Sequence, residues 1–318
     1  MALALLLAGC AQPTRQPVQE QELVWPARPA APRIAFVREF ATPDDLGIKR
    51  GFWKWLSDVF TGGEDLHLVR PMAVLVARAG LIYVADPGAG AVHRFDTVKG
   101  KHLLIKRADG RPLVSPVGLA LDSRGLVYVT DSDLNAVFTI APEAEVATPL
   151  ALAAPLEQPT GIAIDPVADR VFVVETAAHR VSVFSRDGQL LARHGGRGNG
   201  DGEFNFPTLI WNGTGGLLYV TDALNFRVQI LEKDGRFLGL FGEAGDGTGH
   251  MSRPKGVATD RNGHVYVVDT LFHTVQIFDA RGNFLLNFGN QGQKAGEFWM
   301  PTGIFIADND TIYIADSH

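Results

Sequence analysis

Short runs of apolar residues, each ending in an acidic residue, recur along most of the chain. Six hexapeptides have this form: IYVADP (82–87), VYVTDS (127–132), VFVVET (171–176), LYVTDA (218–223), VYVVDT (265–270) and IYIADS (312–317). In each, an aromatic residue lies three positions before the acid, and a proline lies 15 or 16 positions before it. These anchors indicate an internal repeat. Its units begin near residues 71, 116, 159, 207, 254 and 301.

One unit of the repeat has room for four short strands. In the fifth unit the apolar segments are GVAT (256–259), HVYVV (264–268), TVQIF (274–278) and NFLLNF (283–288). Between them lie DRNG (260–263) and DARG (279–282), whose residues favour tight turns. The second segment is apolar at consecutive positions, so we expect a sheet covered on both faces. Such sheets repeated in series are propeller blades, and the sequence predicts an all-β, six-bladed β-propeller over residues 33–318.

Several segments resemble the NHL-repeat family. They are PTGIAID (159–165), VETAAHRV (174–181) and TDALNFRVQI (221–230), in which Asn, His and Arg precede the third strand. The resemblance covers residues 71–318. It is weaker in the first two units, where PGAGAV (87–92) and SDLNAV (132–137) lack the arginine. The resemblance implies a six-bladed propeller built of NHL-like blades.

Ring closure is the next expectation. RIAFVREF (33–40) has the form of a fourth strand without its repeat, and we expect it to complete the sixth blade. The sequence stops directly after the second strand of that blade. We therefore expect an incomplete last blade and a natural protein that is longer at its C-terminus.

An insert, residues 41–70, separates that strand from the first blade. Its segment GFWKWLSDVF (51–60) places Phe52, Leu56, Val59 and Phe60 on one helical face. This pattern predicts a short N-terminal amphipathic helix that packs on the side or one mouth of the propeller. The alternative is a docking helix for a partner or a membrane.

The first ten residues, MALALLLAGC, end an apolar run in the only cysteine of the chain. They resemble the signal peptide of a bacterial lipoprotein, although no Lys or Arg precedes the run. The resemblance implies that Cys10 is the lipid attachment site and that the protein is exported and anchored to the bacterial envelope. The residue after the cysteine is Ala11 and not Asp, so the resemblance favours the outer membrane over the inner membrane. An ordinary signal peptide is the alternative. The proline-rich residues 11–32 predict an extended tether.

Composition narrows the function classes. The formal net charge is −6. An acidic chain lacks the excess of basic side chains that binds nucleic-acid phosphates, so we expect no nucleic-acid partner. A single cysteine excludes a disulfide within the chain and a Cys/His zinc cluster. We expect a monomer without a cofactor.

Three patterns with possible chemistry have structural interpretations. Each recurring acid starts a turn and can accept hydrogen bonds from its backbone. The glycine-rich tracts at 194–204, 241–249 and 288–298 do not lead into helices, as a phosphate-binding loop would. The nine histidines include no three at one equivalent inner-strand position, so the sequence predicts neither a metal site nor a catalytic residue.

Candidate binding residues are those that depart from the repeat. Trp211 replaces a small residue of the innermost strand, where it lines the channel or fills a void. The turns before the third strand carry Asn225 and Phe226 in one blade, and Phe272 and His273 in the next. Strand direction places them on the same face as Arg253 and Lys255.

These residues are either a recognition surface or packing against neighbouring blades. The leading hypothesis is a membrane-tethered scaffold that binds a protein or cell-envelope partner through this loop face. The alternative is an enzyme at the channel mouth, a lyase or a lactonase-like hydrolase.

Overall fold

The computed structural model describes residues 22–49, 66–165 and 167–317. The chain forms two compact units, divided between Phe36 and Val37. In the first unit, β1 (Val24–Trp25) pairs antiparallel with β2 (Ile34–Ala35). The second unit opens with a short 3-10 helix, Asp44–Leu46.

The rest of the second unit consists of antiparallel sheets in chain order. Blade one contains β3 (Ala73–Arg78), β4 (Leu81–Asp86), β5 (Ala91–Asp96) and β6 (Lys101–Ile105). A small hairpin follows, β7 (Arg107–Ala108) and β8 (Arg111–Pro112). Blade two contains β9 (Pro116–Leu121), β10 (Val127–Asp131), β11 (Ala136–Ile140) and β12 (Thr148–Pro149). Blade three contains β13 (Pro159–Asp165), β14 (Arg170–Glu175), β15 (Arg180–Ser185) and β16 (Leu190–Gly195).

Blade four contains β17 (Pro207–Asn212), β18 (Leu218–Asp222), β19 (Arg227–Leu231) and β20 (Phe237–Phe241), with 3-10 helices at Thr214–Gly216 and Ala223–Asn225. Blade five contains β21 (Pro254–Thr259), β22 (Val265–Asp269), β23 (Thr274–Phe278) and β24 (Phe284–Phe288). Blade six contains β25 (Pro301–Ile306) and β26 (Ile312–Asp316). The all-β propeller prediction and the four strands predicted for the fifth unit are confirmed.

The core lies between the blades. The second strands β4, β10, β18 and β22 are buried at every position, as their continuous apolar sequence requires. The innermost strands contact one another in order, and β25 contacts β3, so the ring is closed. At this seam the hydroxyls of Thr302 and Ser317 both donate to the carbonyl oxygen of Pro71, at 3.2 and 3.0 Å.

Of the strand predicted over residues 33–40, the structure shows Ile34–Ala35, and its place in the sixth blade stays a prediction. Its residues Ile34–Ala35 pair with Val24–Trp25, which belong to the segment predicted as an extended tether. A fourth strand hydrogen-bonds to a third. In the described part of the chain, the sixth blade has only β25 and β26, which leaves such a strand no neighbour.

The predicted helix at 51–60 and the predicted lipid attachment site at Cys10 lie outside the described residues. The insert's described ends pack on the propeller. Leu46 and Ile48 are buried in one cluster with Val84 and Phe95 of blade one, and Tyr313 of blade six lies against it. The described residues include no helix with the length and hydropathy that a membrane crossing requires.

Candidate functional site

One face of the propeller carries the turns between second and third strands and the connections from each blade to the next. We call it the loop face. The recurring acids hold it together: the carboxylate of Asp269 accepts hydrogen bonds from the backbone N–H groups of Ser252 and Arg253, at 2.7 and 3.0 Å. It also accepts from Leu271 and Phe272 in its own turn. The hydrogen bonds within the turn were predicted from the sequence. The hydrogen bonds to the two residues that precede the first strand were not.

The other acids make the same bond to the entry of the first strand. The pairs are Asp86 with Val69 and Arg70, Asp131 with Val114 and Ser115, Glu175 with Glu157, Asp222 with Asn205, and Asp316 with Trp299 and Met300. Each entry segment is therefore fixed beside the turn of its own blade. The loop face is a rigid surface on which exposed side chains have defined positions.

Large apolar side chains are exposed on this surface in five of the six blades. They are Val69, Val114, Leu134, Phe206, Leu224, Leu271, Trp299 and Met300, and Leu271 is 54% exposed. Apolar side chains gathered on one face typify a surface that binds a partner. The sequence did not single out Phe206, Trp299 and Met300, because the two residues before the recurring proline vary from blade to blade and no periodicity marks them.

Three cations lie among these residues. Arg70 lies three residues before the first strand of blade one, Arg253 directly precedes the first strand of blade five, and Lys255 is the second residue of β21. Lys255 is half-buried. Burial, followed by the guanidinium groups of Arg253 and Arg70, lowers the pKa of the Lys255 ammonium. In the described part of the chain this ammonium has neither a hydrogen bond nor an ion pair.

The position of Lys255 in the repeat has a defined structural role in other blades. Thr160 and Thr208 occupy it in blades three and four, and each hydroxyl donates to the carbonyl of the equivalent residue in the next blade. The two oxygen–oxygen distances are 2.6 and 3.2 Å. Thr302 makes the same kind of bond across the seam. Lys255 replaces a bridging hydroxyl with a charged group that bonds to none of the described residues.

Trp211 lies apart from the other candidate residues. It lines the central cavity, where its indole nitrogen donates to Thr259 Oγ1 at 3.1 Å and its ring packs edge-on against Phe305. The cavity has a volume of about 180 Å³ and is lined by the innermost strands. Its lining is largely small and aliphatic, for example Ala120, Ala163 and Val257.

Asn225 and Phe226 lie on the loop face but make internal contacts. The Asn225 amide donates to the Asp222 carboxylate and to the carbonyl of Gly198 in the glycine-rich connection, at 2.8 and 2.9 Å. The Phe226 ring packs against the core cluster between blades four and five. Leu224, in the same turn, is exposed instead.

His273 joins two blades. Its Nδ1 contacts the carbonyl oxygen of Trp299 at 2.5 Å, and its ring lies 6.3 Å from the Trp299 ring. His179 has the matching place in blade three, where Nδ1 accepts from the backbone N–H of Phe206. Phe272 is half-buried beside the exposed Leu271. The structure therefore groups Asn225, Phe226, Arg253, Lys255, Phe272 and His273 on one face.

The titratable groups are the candidates for catalytic chemistry. Within the described ranges, no three His, Cys, Asp or Glu side chains are grouped so that they could hold a metal ion. Glu175 accepts from Arg180 at 2.8 and 2.9 Å and from Ser182. Although burial raises it, these bonds together hold the pKa of Glu175 below its usual value. Glu175 is thus a buried structural carboxylate.

Comparisons with known proteins agree with this architecture. A family model described as a 6-bladed beta-propeller matches residues 252–318. No curated protein matches the chain. Among solved structures, the chain is similar to virginiamycin B lyase from Staphylococcus aureus, with 16% identity and a TM-score of 0.57 over 78% of each chain.

Two further structures are similar in fold. A nidogen/laminin complex gives 20% identity and a TM-score of 0.59, covering 80% of this chain and 88% of that one. A structural genomics protein from Bacteroides thetaiotaomicron gives 15% identity and a TM-score of 0.61, covering 80% and 69%. At these identities the likeness establishes the fold, which hosts both enzymes and binding modules.

Proposed function

We propose that this protein is a recognition module whose loop face binds a protein partner. The observation that carries the proposal is the coincidence of two features on one rigid face. Eight exposed apolar side chains gather there with Arg70, Arg253 and Lys255, and none of these three cations has an acidic partner among the residues that the structure describes. Interfaces combine apolar anchors with a polar rim in this way.

The central cavity supports the same proposal. A channel-mouth enzyme would place polar or titratable groups where a substrate enters. Here the cavity is lined mainly by aliphatic side chains, with Trp211 and Asn212 as its polar members. The Asn212 amide N–H group donates to the carbonyl of Ile164 at 2.8 Å, and the Trp211 indole donates to Thr259, so these two donors serve the packing of the blades.

The location is part of the proposal. A lipid on Cys10 would hold the module at the bacterial envelope. Ala11, the residue after Cys10, favours the outer membrane. The partner would then be another envelope protein, and a cell-envelope polymer is the other class of ligand that the test distinguishes.

Photo-crosslinking of the full-length protein in its native envelope tests the proposal. A photoreactive amino acid is placed at Leu134, Leu224, Leu271 or Met300 on the loop face, and in control variants at Leu191, Leu238 or Leu285 on outer strands. All seven positions are exposed. We expect one protein product from the loop-face positions only. Polysaccharide products, or equal yields from the controls, would contradict the proposal.

A further inference from the structure

Arg70, Arg253 and Lys255 flank one blade. Arg70 lies at the entry of blade one, and Arg253 and Lys255 lie at the entry of blade five. Blade six, between them, presents Trp299 and Met300, which are 41% and 44% exposed. Since β21 contacts β25 and β25 contacts β3, these residues form one continuous arc around the channel mouth.

The backbone of Lys255 is held in place on both sides. Its carbonyl oxygen accepts from the hydroxyls of Thr208 and Thr221 in blade four, at 3.2 and 2.6 Å. On its other side, a Cβ at Gly256 would lie only 2.5 Å from the carbonyl oxygen of Thr302. The backbone is thus held tightly between blades four and six, which gives the ammonium a defined origin.

An unpartnered, half-buried ammonium destabilises the folded state. At this position a threonine meets the structural need, as Thr160, Thr208 and Thr302 demonstrate. A charge that fold stability does not require, beside two further cations, has the properties of an anion-binding group.

We propose that the arc binds a carboxylate of a peptide segment at Lys255, while the apolar neighbours of that carboxylate pack on Trp299 and Met300. This inference rests on the proposed function and specifies the chemistry of its partner. Arg70 and Arg253 add long-range attraction and orient the segment across blade six. The exposed neighbours Val69, Leu271 and Met300 are aliphatic, which suits peptide side chains better than stacked bases or sugars.

The test uses a library of random octapeptides displayed on phage and selected on the full chain. Recovered sequences are synthesised in pairs, one with its Asp or Glu and one with Asn or Gln at that place. Binding is measured to the parent protein, to Lys255→Thr and to the control Lys101→Thr. Lys101 is an exposed lysine of an outer strand. Thermal melts establish that each variant is folded.

We expect recovered peptides to carry an acidic residue beside apolar ones. The amide peptide and the Lys255→Thr variant should each weaken binding by about tenfold or more, the range of a charged hydrogen bond. Because both changes remove the same interaction, together they should cost little more than either alone. Lys101→Thr should bind like the parent.

Equal affinity for the acidic and amide peptides, or full binding by Lys255→Thr, would overturn the inference. A further outcome is peptide binding that needs neither the carboxylate nor Lys255 and yet is lost in Leu271→Ser. In that case the loop face would remain the binding surface, and only its anion preference would be wrong. Binding that survives both Leu271→Ser and Lys255→Thr, or no recovered peptide at all, would count against the inference and the proposed function together.

Discussion

The Thr160 hydroxyl donates a 2.6 Å hydrogen bond to the carbonyl of Thr208 in the next blade. Lys255 makes no such bond to Thr302, so Lys255→Thr should add it and also remove a poorly solvated charge. We expect the variant to be about 1 kcal/mol more stable, which raises the melting temperature by roughly 2 °C in a domain of this size. Calorimetry of parent and variant measures the shift. A lower melting temperature would contradict the structural role assigned to this position.

Glu175 predicts an acid-dependent loss of stability. Its pKa is below the ordinary value of 4.5 in the folded protein. When the pH falls below the ordinary value, the unfolded chain takes up the proton first, so the free energy of unfolding decreases as the pH falls through the folded pKa. The stabilisation is complete at neutral pH. Urea unfolding at pH 7, 5, 4 and 3 measures the slope of the free energy of unfolding against pH.

Glu175→Gln should reduce that slope, because the group that titrates is gone. It should also destabilise the protein by about 3 kcal/mol at pH 7, since Arg180 loses its buried charged partner and keeps only the exposed Glu157, 3.5 Å away. Asp187→Asn, in an exposed turn, is the control and should leave the slope unchanged. An unchanged slope in Glu175→Gln would show that other groups dominate acid unfolding.

Asp269→Ala should destabilise the loop face. It leaves the backbone N–H groups of Ser252, Arg253, Leu271 and Phe272 without their acceptor. We expect a loss of about 2–4 kcal/mol and faster hydrogen exchange at these four amides. Asp279→Ala, in an exposed turn at the opposite end of the blade, should cost less than about 1 kcal/mol. Similar losses in the two variants would refute the anchoring role.

Trp211→Ala separates the channel from the loop face. The change removes the bond to Thr259 and the contact with Phe305, and it enlarges the cavity. We expect a destabilisation of about 3 kcal/mol with partner binding unchanged, since the side chain lies away from the loop face. Loss of binding by a folded Trp211→Ala would place the site in the channel instead.

The repeat made the architecture predictable, whereas the site depended on side-chain orientation. The acids, prolines and aromatic residues recur because every blade needs the same contacts, so six registers supported one prediction. Burial within a turn has no such periodicity: Leu224 is exposed and Phe226 packs inward, although both are large and apolar. The pairing of Ile34–Ala35 was also missed, because the sequence of a strand does not identify the strand with which it pairs.

Two leucines of blade five offer the most direct test of the central claim, that a partner binds the loop face. Leu271 lies on that face and is 54% exposed, and Leu285 lies on the outer strand and is 40% exposed. The crosslink formed from Leu224 is quantified in Leu271→Asp and in Leu285→Asp. We predict that Leu271→Asp loses most of the product and that Leu285→Asp retains it. Equal yields in the two variants would contradict the account.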